Sequence, residues 1–276
     1  MILYPPAKIN LSLRITRRRE DGFHELETLI LPLPSLTDRL VFSEANTYSL
    51  SCDLADVPVD ESNLITKALR LFEKETGIAC PFQISLEKRI PHGAGLGGGS
   101  ADAAHALLAL NKLTHSHLSL EELAELAGQL GSDIPLFLYQ KPCWCRGRGE
   151  IIDPTELRLS RGIVLFKPLF GVSTPWAYSR WKDSKEIPEI PYTPQHVEDM
   201  VLINDLEKPV FEKYRFLAEL KLFLLKQPET SAALMTGSGS TMFALLKEGA
   251  DAKNLIKRTL TEMDPTMWTH YHPLLD

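Results

Sequence analysis

The feature that most restricts the fold of this 276-residue chain is a run of small residues, Gly93-Ala94-Gly95-Leu96-Gly97-Gly98-Gly99-Ser100. Five of its first seven residues are glycine, which is entropically costly in a folded chain unless a close contact requires it. Such a run lets consecutive backbone N–H groups point at an anion. Apolar residues at helical spacing follow from Ala103 to Leu110, so the anion would also meet the positive end of a helix. The run therefore predicts a phosphate-binding turn.

Three known nucleotide-binding patterns can be compared with this turn. Gly93, Gly95 and Gly98 have the spacing of a dinucleotide-binding turn, but the chain continues through two helical patterns where that fold needs a strand ending in an acidic residue. A Walker A loop needs a lysine at the position of Gly99. The His-Arg-Asp and Asp-Phe-Gly sequences of protein kinases do not occur. These differences favour a kinase of another fold over a Rossmann oxidoreductase.

Charge and hydropathy limit the partners of the chain. Its formal net charge is -6, which argues against general nucleic-acid binding, since that affinity comes mostly from a basic surface. The N-terminus lacks the pattern of a secretion signal, and no stretch of about 18 apolar residues occurs. Cys143 and Cys145 are too close together for the usual zinc or redox spacing, so we expect buried thiols. We expect a cytoplasmic protein with a small-molecule substrate and neither a nucleic-acid nor a membrane partner.

The periodicity of apolar residues predicts an α+β fold. Alternation predicts strands at Ile9 to Ile15, Glu25 to Leu31, Leu40 to Phe42, Tyr48 to Leu54, Phe82 to Leu86, Ile163 to Phe166 and Thr241 to Leu246. Helical spacing predicts helices at Asn63 to Glu75, from about Ser100, after Ser119, at Val197 to Leu202 and at Arg215 to Lys226. The length is near that at which one core divides into two. We expect two lobes, residues 1–155 and 156–276.

Three further segments change the interpretation of the glycine run. They are Pro6-Ala7-Lys8-Ile9-Asn10-Leu11, Gly131-Ser132-Asp133-Ile134-Pro135 and Met235-Thr236-Gly237-Ser238-Gly239-Ser240-Thr241. Together with the run, and in this order, they resemble the motifs of the GHMP kinase family, which includes galactokinase, homoserine kinase and mevalonate kinase. The resemblance covers almost the whole chain. It implies an N-terminal lobe of mixed sheet with helices, a C-terminal α/β-sandwich lobe and an active site in the cleft.

The resemblance implies that Asp133 and Lys8 are the catalytic residues. A carboxylate within hydrogen-bond reach of an alcohol can orient it and accept its proton during phosphoryl transfer. A neighbouring ammonium would keep the carboxylate ionised and offset developing negative charge. Taken alone, Asp133 could merely cap a turn and Lys8 could be a solvated strand residue. The order of the motifs favours the catalytic interpretation.

The resemblance also implies how ATP and magnesium are held. ATP is the co-substrate, and its phosphates would lie on Pro91 and on the turn from Gly93 to Ser100. Mg²⁺ would be held mainly by the ATP phosphates, with the Ser100 hydroxyl as a candidate protein ligand. The family commonly has a second serine where this chain has Ala101, so one hydroxyl contact is missing.

Local stretches resemble those family members whose substrate carries a cytidine diphosphate group. In Asp21-Gly22-Phe23-His24, Phe23 would stack on the cytosine and His24 would bind its edge. The family often has tyrosine in place of Phe23, so a hydroxyl contact is lost. Asn10, Gly237 and Ser238 would contact the rest of the substrate, beside Asp133. A homoserine or mevalonate kinase and a non-catalytic nucleotide-binding module are the alternatives.

Overall fold

The computed structural model describes residues 1–157 and 159–273 and has a mixed α+β fold, as predicted. Its strands are β1 (Ile2–Leu3), β2 (Pro6–Arg18), β3 (His24–Thr37), β4 (Arg39–Glu44), β5 (Ser49–Cys52), β6 (Phe82–Glu87), β7 (Cys143–Gly147), β8 (Ile151–Pro154), β9 (Ile163–Lys167), β10 (Gln195–Val197), β11 (Met200–Asn204), β12 (Thr230–Met235), β13 (Met242–Leu246) and β14 (Trp268–His272). Its helices are α1 (Leu64–Thr76), α2 (Gly98–Leu113), α3 (Leu120–Leu130), α4 (Leu136–Tyr139), α5 (Thr174–Ser179), α6 (Glu207–Lys213), α7 (Arg215–Leu225) and α8 (Ala252–Glu262). None of the helices in these ranges is long and apolar enough to span a membrane.

The strands of the described residues form one six-stranded sheet and two four-stranded sheets. The central sheet has the order β10-β11-β2-β3-β7-β8, and the others have the orders β1-β4-β6-β5 and β12-β13-β9-β14. The long antiparallel pair of β2 and β3 forms the middle of the central sheet, and β11 pairs with β2 in parallel. Strands from both halves of the chain therefore share one sheet. A lobe boundary near residue 155 stays a prediction.

Successive residues of β2 point to opposite faces of the central sheet. Ile9 and Leu11 are fully buried in an apolar layer that also contains Phe243 of β13. Lys8 and Asn10 alternate with them and are also buried, although both side chains are polar. Buried polar groups need hydrogen-bond partners, so this part of β2 requires a polar environment that other segments must supply.

The first turns of α1 and α2 lie beside each other. Asn63 caps α1, because its side chain accepts a hydrogen bond from the Ile65 N–H at 2.8 Å. A Cβ atom at Gly99 in α2 would lie 3.7 Å from Leu64 Cδ1, the first residue of α1. α2 begins at Gly98, two residues before the predicted start at Ser100. The glycine run therefore forms both the turn and the first residues of the helix.

The prediction of a helix at Val197 to Leu202 is wrong. This segment contributes to β10 and β11, which form a tight hairpin, and Glu198 at its turn has φ of 53°. β11 continues the central sheet by pairing Ile203 with Ser12 of β2. A short apolar segment fits either period, and here pairing with β2 decides its conformation.

Candidate active site

The glycine turn lines a cavity of about 320 Å³. Gly93, Gly95 and Gly97 have φ of 62°, 77° and 73°, a left-handed conformation that favours glycine. α2 begins directly after Gly97 without a side-chain cap, so the first N–H groups of the helix have no side-chain partner there. These N–H groups and the positive end of a 16-residue helix make the cavity suitable for phosphate groups.

The second glycine turn, residues 236–241, packs directly on the first. A Cβ atom at Gly95 would lie 2.8 Å from the Thr236 carbonyl oxygen and 3.0 Å from that of Gly239. The Thr241 N–H donates to the carbonyl oxygen of Ala94 at 3.3 Å. Glycine at position 95 is thus required by the neighbouring turn as well as by its own backbone conformation. The phosphate turn is held in place by the C-terminal half of the chain.

Lys8 lies beneath the glycine turn and lines neither of the two cavities described here. Its ammonium donates to Asn10 Oδ1 at 2.7 Å and to the Gly95 carbonyl oxygen at 2.9 Å. Burial lowers the pKa of Lys8, while the negative charge of Asp133 acts in the opposite direction. No ion pair joins Lys8 to Asp133 among the described residues. The two groups are electrostatically coupled without direct contact.

A second cavity, of about 770 Å³, adjoins the first. Leu64 and Ser100 line both cavities, so the spaces meet at the start of α1 and α2. Asp133 is exposed in the larger cavity, just after the end of α3. A Cβ atom at Gly149 would lie 3.4 Å from Asp133 Oδ1, so the turn between β7 and β8 passes beside this carboxylate. Asp133 is thereby presented to a space that opens onto the glycine turn.

His24 lies in the larger cavity beside two aromatic side chains. Its ring centre is 5.4 Å from that of Tyr178 and 5.8 Å from that of Trp181. Burial lowers the pKa of His24, and the positive charges of Arg18 and Lys182 lower it further. The imidazole is therefore neutral near pH 7, with one nitrogen that donates and one that accepts. Such a group can read the edge of a planar base.

Phe23 also lines the larger cavity and is 54 % exposed. The Arg148 guanidinium lies 5.0 Å from the centre of its ring, in the range of a cation–π contact. Arg18, Arg148 and Lys182 give this cavity a predominance of positive charge, with Asp133 and Asp183 as its acidic groups. The cavity thus combines aromatic surfaces with cations, which suits a nucleoside carrying phosphate groups.

Asn10, Gly237 and Ser238 do not line either cavity. Asn10 is buried between Lys8 and the Thr28 hydroxyl, to which its Nδ2 donates at 2.8 Å. A Cβ atom at Gly237 would lie 3.4 Å from Lys8 Nζ. Ser238 shares a 2.7 Å hydroxyl hydrogen bond with Thr174, which does line the larger cavity. These residues contact Lys8 and Thr174 from outside the cavities. Their direct contact with substrate stays a prediction.

Known proteins share this arrangement of segments. Residues 63–141 match the model of the GHMP kinases N-terminal domain, and residues 196–262 match that of the GHMP kinases C-terminal domain. The chain is 42 % identical to a 4-diphosphocytidyl-2-C-methyl-D-erythritol kinase of Methylacidiphilum infernorum, over 99 % of this chain and 96 % of that protein. It is 36 % identical to the enzyme of the same name from Thermodesulfovibrio yellowstonii, over 91 % of each. The chain belongs to the GHMP kinase family, in its 4-diphosphocytidyl-2-C-methyl-D-erythritol kinase branch.

Solved structures support the assignment of the chain to the GHMP kinase family. A crystal structure of 4-(cytidine 5'-diphospho)-2C-methyl-D-erythritol kinase matches with a TM-score of 0.78 and 35 % identity, over 98 % of each chain. The mevalonate kinase of Methanococcus jannaschii matches with a TM-score of 0.70 at 13 % identity, over 100 % of this chain and 98 % of that chain, which shows a shared fold. The predicted two-lobe GHMP fold is confirmed.

The sequence did not point to a buried charged cluster at the cavity of the glycine turn. Lys88 forms ion pairs with Asp38 and Asp102, and the Lys88 to Asp102 pair has a distance of 2.9 Å. Asp38 also accepts hydrogen bonds from the N–H groups of Arg89 and Ile90. Burial raises the pKa of Asp102 to about 7. These contacts join the end of β6 to α2, and only the proximity of distant segments reveals them.

Proposed function

We propose that the protein transfers the γ-phosphoryl group of ATP to the 2-hydroxyl of 4-diphosphocytidyl-2-C-methyl-D-erythritol, in the methylerythritol phosphate route to isoprenoid precursors. The observation that carries the proposal is the junction of the two cavities at Leu64 and Ser100. One cavity suits phosphates and the other suits a cytidine diphosphate, and Asp133 is exposed in the second, which shares Ser100 with the first. The relatives that bear this substrate in their names match nearly the whole chain.

Asp133 acts as the catalytic carboxylate in this proposal. The hydroxyl of the substrate is a weak nucleophile, and a carboxylate within hydrogen-bond reach orients it and takes its proton as the phosphoryl group transfers. Asp133 is suited to this role because its side chain is exposed in the larger cavity, which shares Ser100 with the nucleotide cavity.

Lys8 acts from beneath the glycine turn. Its ammonium has three donors, of which two are used by Asn10 Oδ1 and the Gly95 carbonyl oxygen. The remaining donor and the positive charge stabilise the Asp133 carboxylate and the negative charge that develops on the transferring group. The lowered pKa of Lys8 reflects the burial that makes this charge effective, since an ammonium out of water interacts more strongly with a nearby anion.

The cytidine end of the substrate lies against Phe23, His24 and Tyr178. Stacking on an aromatic ring contributes about 1–3 kcal/mol per base. The neutral His24 imidazole can exchange hydrogen bonds with the cytosine edge. Arg148, whose guanidinium lies over the Phe23 ring and whose neighbour Gly149 passes beside Asp133, would meet the diphosphate. This distribution of groups distinguishes a cytidyl substrate from the smaller mevalonate or homoserine.

Magnesium is the metal that this reaction implies. No group of three or more His, Cys, Asp or Glu side chains within residues 1–157 and 159–273 is arranged to hold a metal ion. The Ser100 hydroxyl, which lines both cavities, is the kind of oxygen ligand that Mg²⁺ accepts while it keeps waters and phosphates as its other ligands. When bound, the ion neutralises charge on the β- and γ-phosphates of ATP.

The expected cytoplasmic location of the protein stays a prediction.

A substrate panel tests the proposal. The purified protein is incubated with ATP and magnesium and with the cytidyl substrate, mevalonate or homoserine in turn, and phosphorylated product is measured. We expect turnover of the cytidyl compound alone. Turnover of mevalonate or homoserine in its place would refute the substrate assignment. Binding of ATP without turnover of any of the three would indicate a non-catalytic nucleotide-binding module.

A further inference from the structure

A buried polar network lies behind the second glycine turn and takes no part in the proposed chemistry. It consists of Asn204, Glu207 and Lys221, which are 4 %, 2 % and 1 % exposed. Burying such groups is costly unless each finds a partner, and apolar residues of similar volume are often at least as stable. Their presence therefore calls for an explanation other than packing.

Asn204 fixes the corner at which β12 enters the second glycine turn. Its Nδ2 donates to the Met235 carbonyl oxygen at 2.6 Å and to the Gly237 carbonyl oxygen at 2.8 Å. Its Oδ1 accepts from the Leu206 N–H at 2.9 Å, which sets the orientation of the amide. Both amide hydrogens thus hold the backbone on either side of Thr236, while the amide oxygen is fixed by the Leu206 N–H.

Glu207 and Lys221 hold the same corner from the other side. Glu207 Oε1 accepts from the Met235 N–H at 2.9 Å, and its Oε2 pairs with Lys221 Nζ at 2.5 Å. Lys221 Nζ also donates to the Pro191 carbonyl oxygen at 2.7 Å. The carboxylate is therefore fixed in one orientation by α7. Met235 is held through its N–H by Glu207 and through its carbonyl oxygen by Asn204.

The corner in turn contacts the groups around Lys8. The Thr236 hydroxyl accepts from the Asn10 N–H at 2.9 Å. A Cβ atom at Gly237 would lie 3.4 Å from both Lys8 Nζ and Asn10 Oδ1. A continuous series of contacts therefore leads from Lys221 to the ammonium of Lys8.

We propose that Asn204, supported by the Glu207–Lys221 ion pair, is a positioning residue that sets the place of Lys8 through the corner at Met235–Gly237. The effect on turnover rests on the proposed function, because it assumes that Lys8 acts in phosphoryl transfer. The effect on the surroundings of Lys8 is independent of that assumption.

The first test compares two alanine variants. Asn204→Ala removes the two donors to the corner. Gln195→Ala removes an amide that bonds Ala233, which is on β12 like Met235, by hydrogen bonds of 2.8 and 3.0 Å. Gln195 has no hydrogen bond to the second glycine turn among the described residues. We expect kcat to fall by about tenfold or more in Asn204→Ala, with the KM for ATP within about threefold of the parent. Gln195→Ala should keep kcat within about threefold. Equal losses in both variants would overturn the proposal.

The second test reads Lys8 without any substrate. The titration midpoint of the Lys8 ammonium is followed by NMR in protein with isotope-labelled lysine. Loosening the corner in Asn204→Ala admits water, so the midpoint should rise toward the ordinary lysine value, and Gln195→Ala should leave it unchanged. If Asn204→Ala does not fold, Asn204→Ser is measured in the same way. An unchanged midpoint in the folded variant would overturn the proposal, even if the substrate panel fails.

Discussion

The two cavities of this protein differ in the groups that they offer to a ligand. The smaller one contains the turn from Gly93 to Gly99 and the start of α2, which offer backbone N–H groups, beside side chains such as Asn63 and Lys88. The larger one is formed by side chains that come from separate segments, among them Phe23, His24 and Tyr178. A backbone site can hold the phosphates that all these kinases share, because it reads no particular side group. Under the proposed function, ATP binding therefore depends on the first cavity and substrate identity on the second.

The largest expected effect comes from a change at Asp133, which is exposed in the larger cavity. Asp133→Asn keeps the size of the side chain but removes the base, so kcat should fall by about 10³-fold or more while ATP binding is retained. Asp183→Asn is the matched control, since Asp183 is exposed in the same cavity. The measurements are steady-state kinetics and calorimetric titration with ATP. A kcat for Asp133→Asn within tenfold of the parent would contradict the mechanism.

A change in the backbone cavity tests whether its shape is essential. At Gly97, with φ of 73°, a Cβ atom would lie 2.7 Å from Phe137 Cζ and 3.1 Å from Lys8 Cγ. Gly77 has almost the same φ, 70°, but a Cβ atom there has open space. Both Gly→Ala changes should lower stability by about 1 kcal/mol from strain in φ, and the clash at position 97 should add about 1–3 kcal/mol. Gly97→Ala should also weaken ATP binding, by about thirtyfold, because the clash displaces the turn.

Thermal denaturation and ATP titration of both variants separate these effects. A larger loss of melting temperature in Gly97→Ala than in Gly77→Ala, with weaker ATP binding for Gly97→Ala alone, would support a site defined by backbone shape. Unchanged ATP affinity in Gly97→Ala would show that the turn tolerates displacement, and the contrast between the cavities would then be wrong.

The sequence predicted the backbone cavity better than the side-chain cavity. The glycine turn and the helix after it are local features, so their residues could be recognised from a single segment. His24 and Asp133 were predicted from family motifs, but Arg148 and Tyr178 lie near them only after folding. The same limit explains the missed Lys88–Asp38–Asp102 cluster, whose members come from the residue after β6, the β3–β4 connection and α2. The hairpin at residues 195–204 was missed because its pairing partner, β2, is distant in sequence.

A change at His24 should affect the cytidyl substrate and leave ATP unaffected. His24→Gln removes the imidazole from the aromatic cluster, and the KM for the cytidyl substrate should rise by about tenfold with little change in the KM for ATP. His196→Gln, at an exposed histidine of β10, is the control.

The pKa of His24 is lowered by burial and by the positive charges of Arg18 and Lys182. The neutral imidazole therefore persists to a lower pH than that of an ordinary histidine. Substrate affinity should therefore stay constant near neutral pH and weaken only as acid protonates the ring. Equal rises in the KM values for both substrates would contradict this assignment.

The smallest expected effect is that of Phe23→Tyr, which introduces the tyrosine that the family resemblance implies at this position. Phe23→Tyr restores a hydroxyl at a ring that is 54 % exposed, so water already competes for any new hydrogen bond. The KM for the cytidyl substrate should change by less than about threefold. Phe23→Leu removes the stacking surface and the contact with Arg148, and should raise the KM by about tenfold, as expected for loss of base stacking. If Phe23→Tyr improved the KM more than Phe23→Leu worsened it, then recognition at this position would depend on a hydroxyl contact, and the larger cavity would select its substrate by hydrogen bonding more than by aromatic surface.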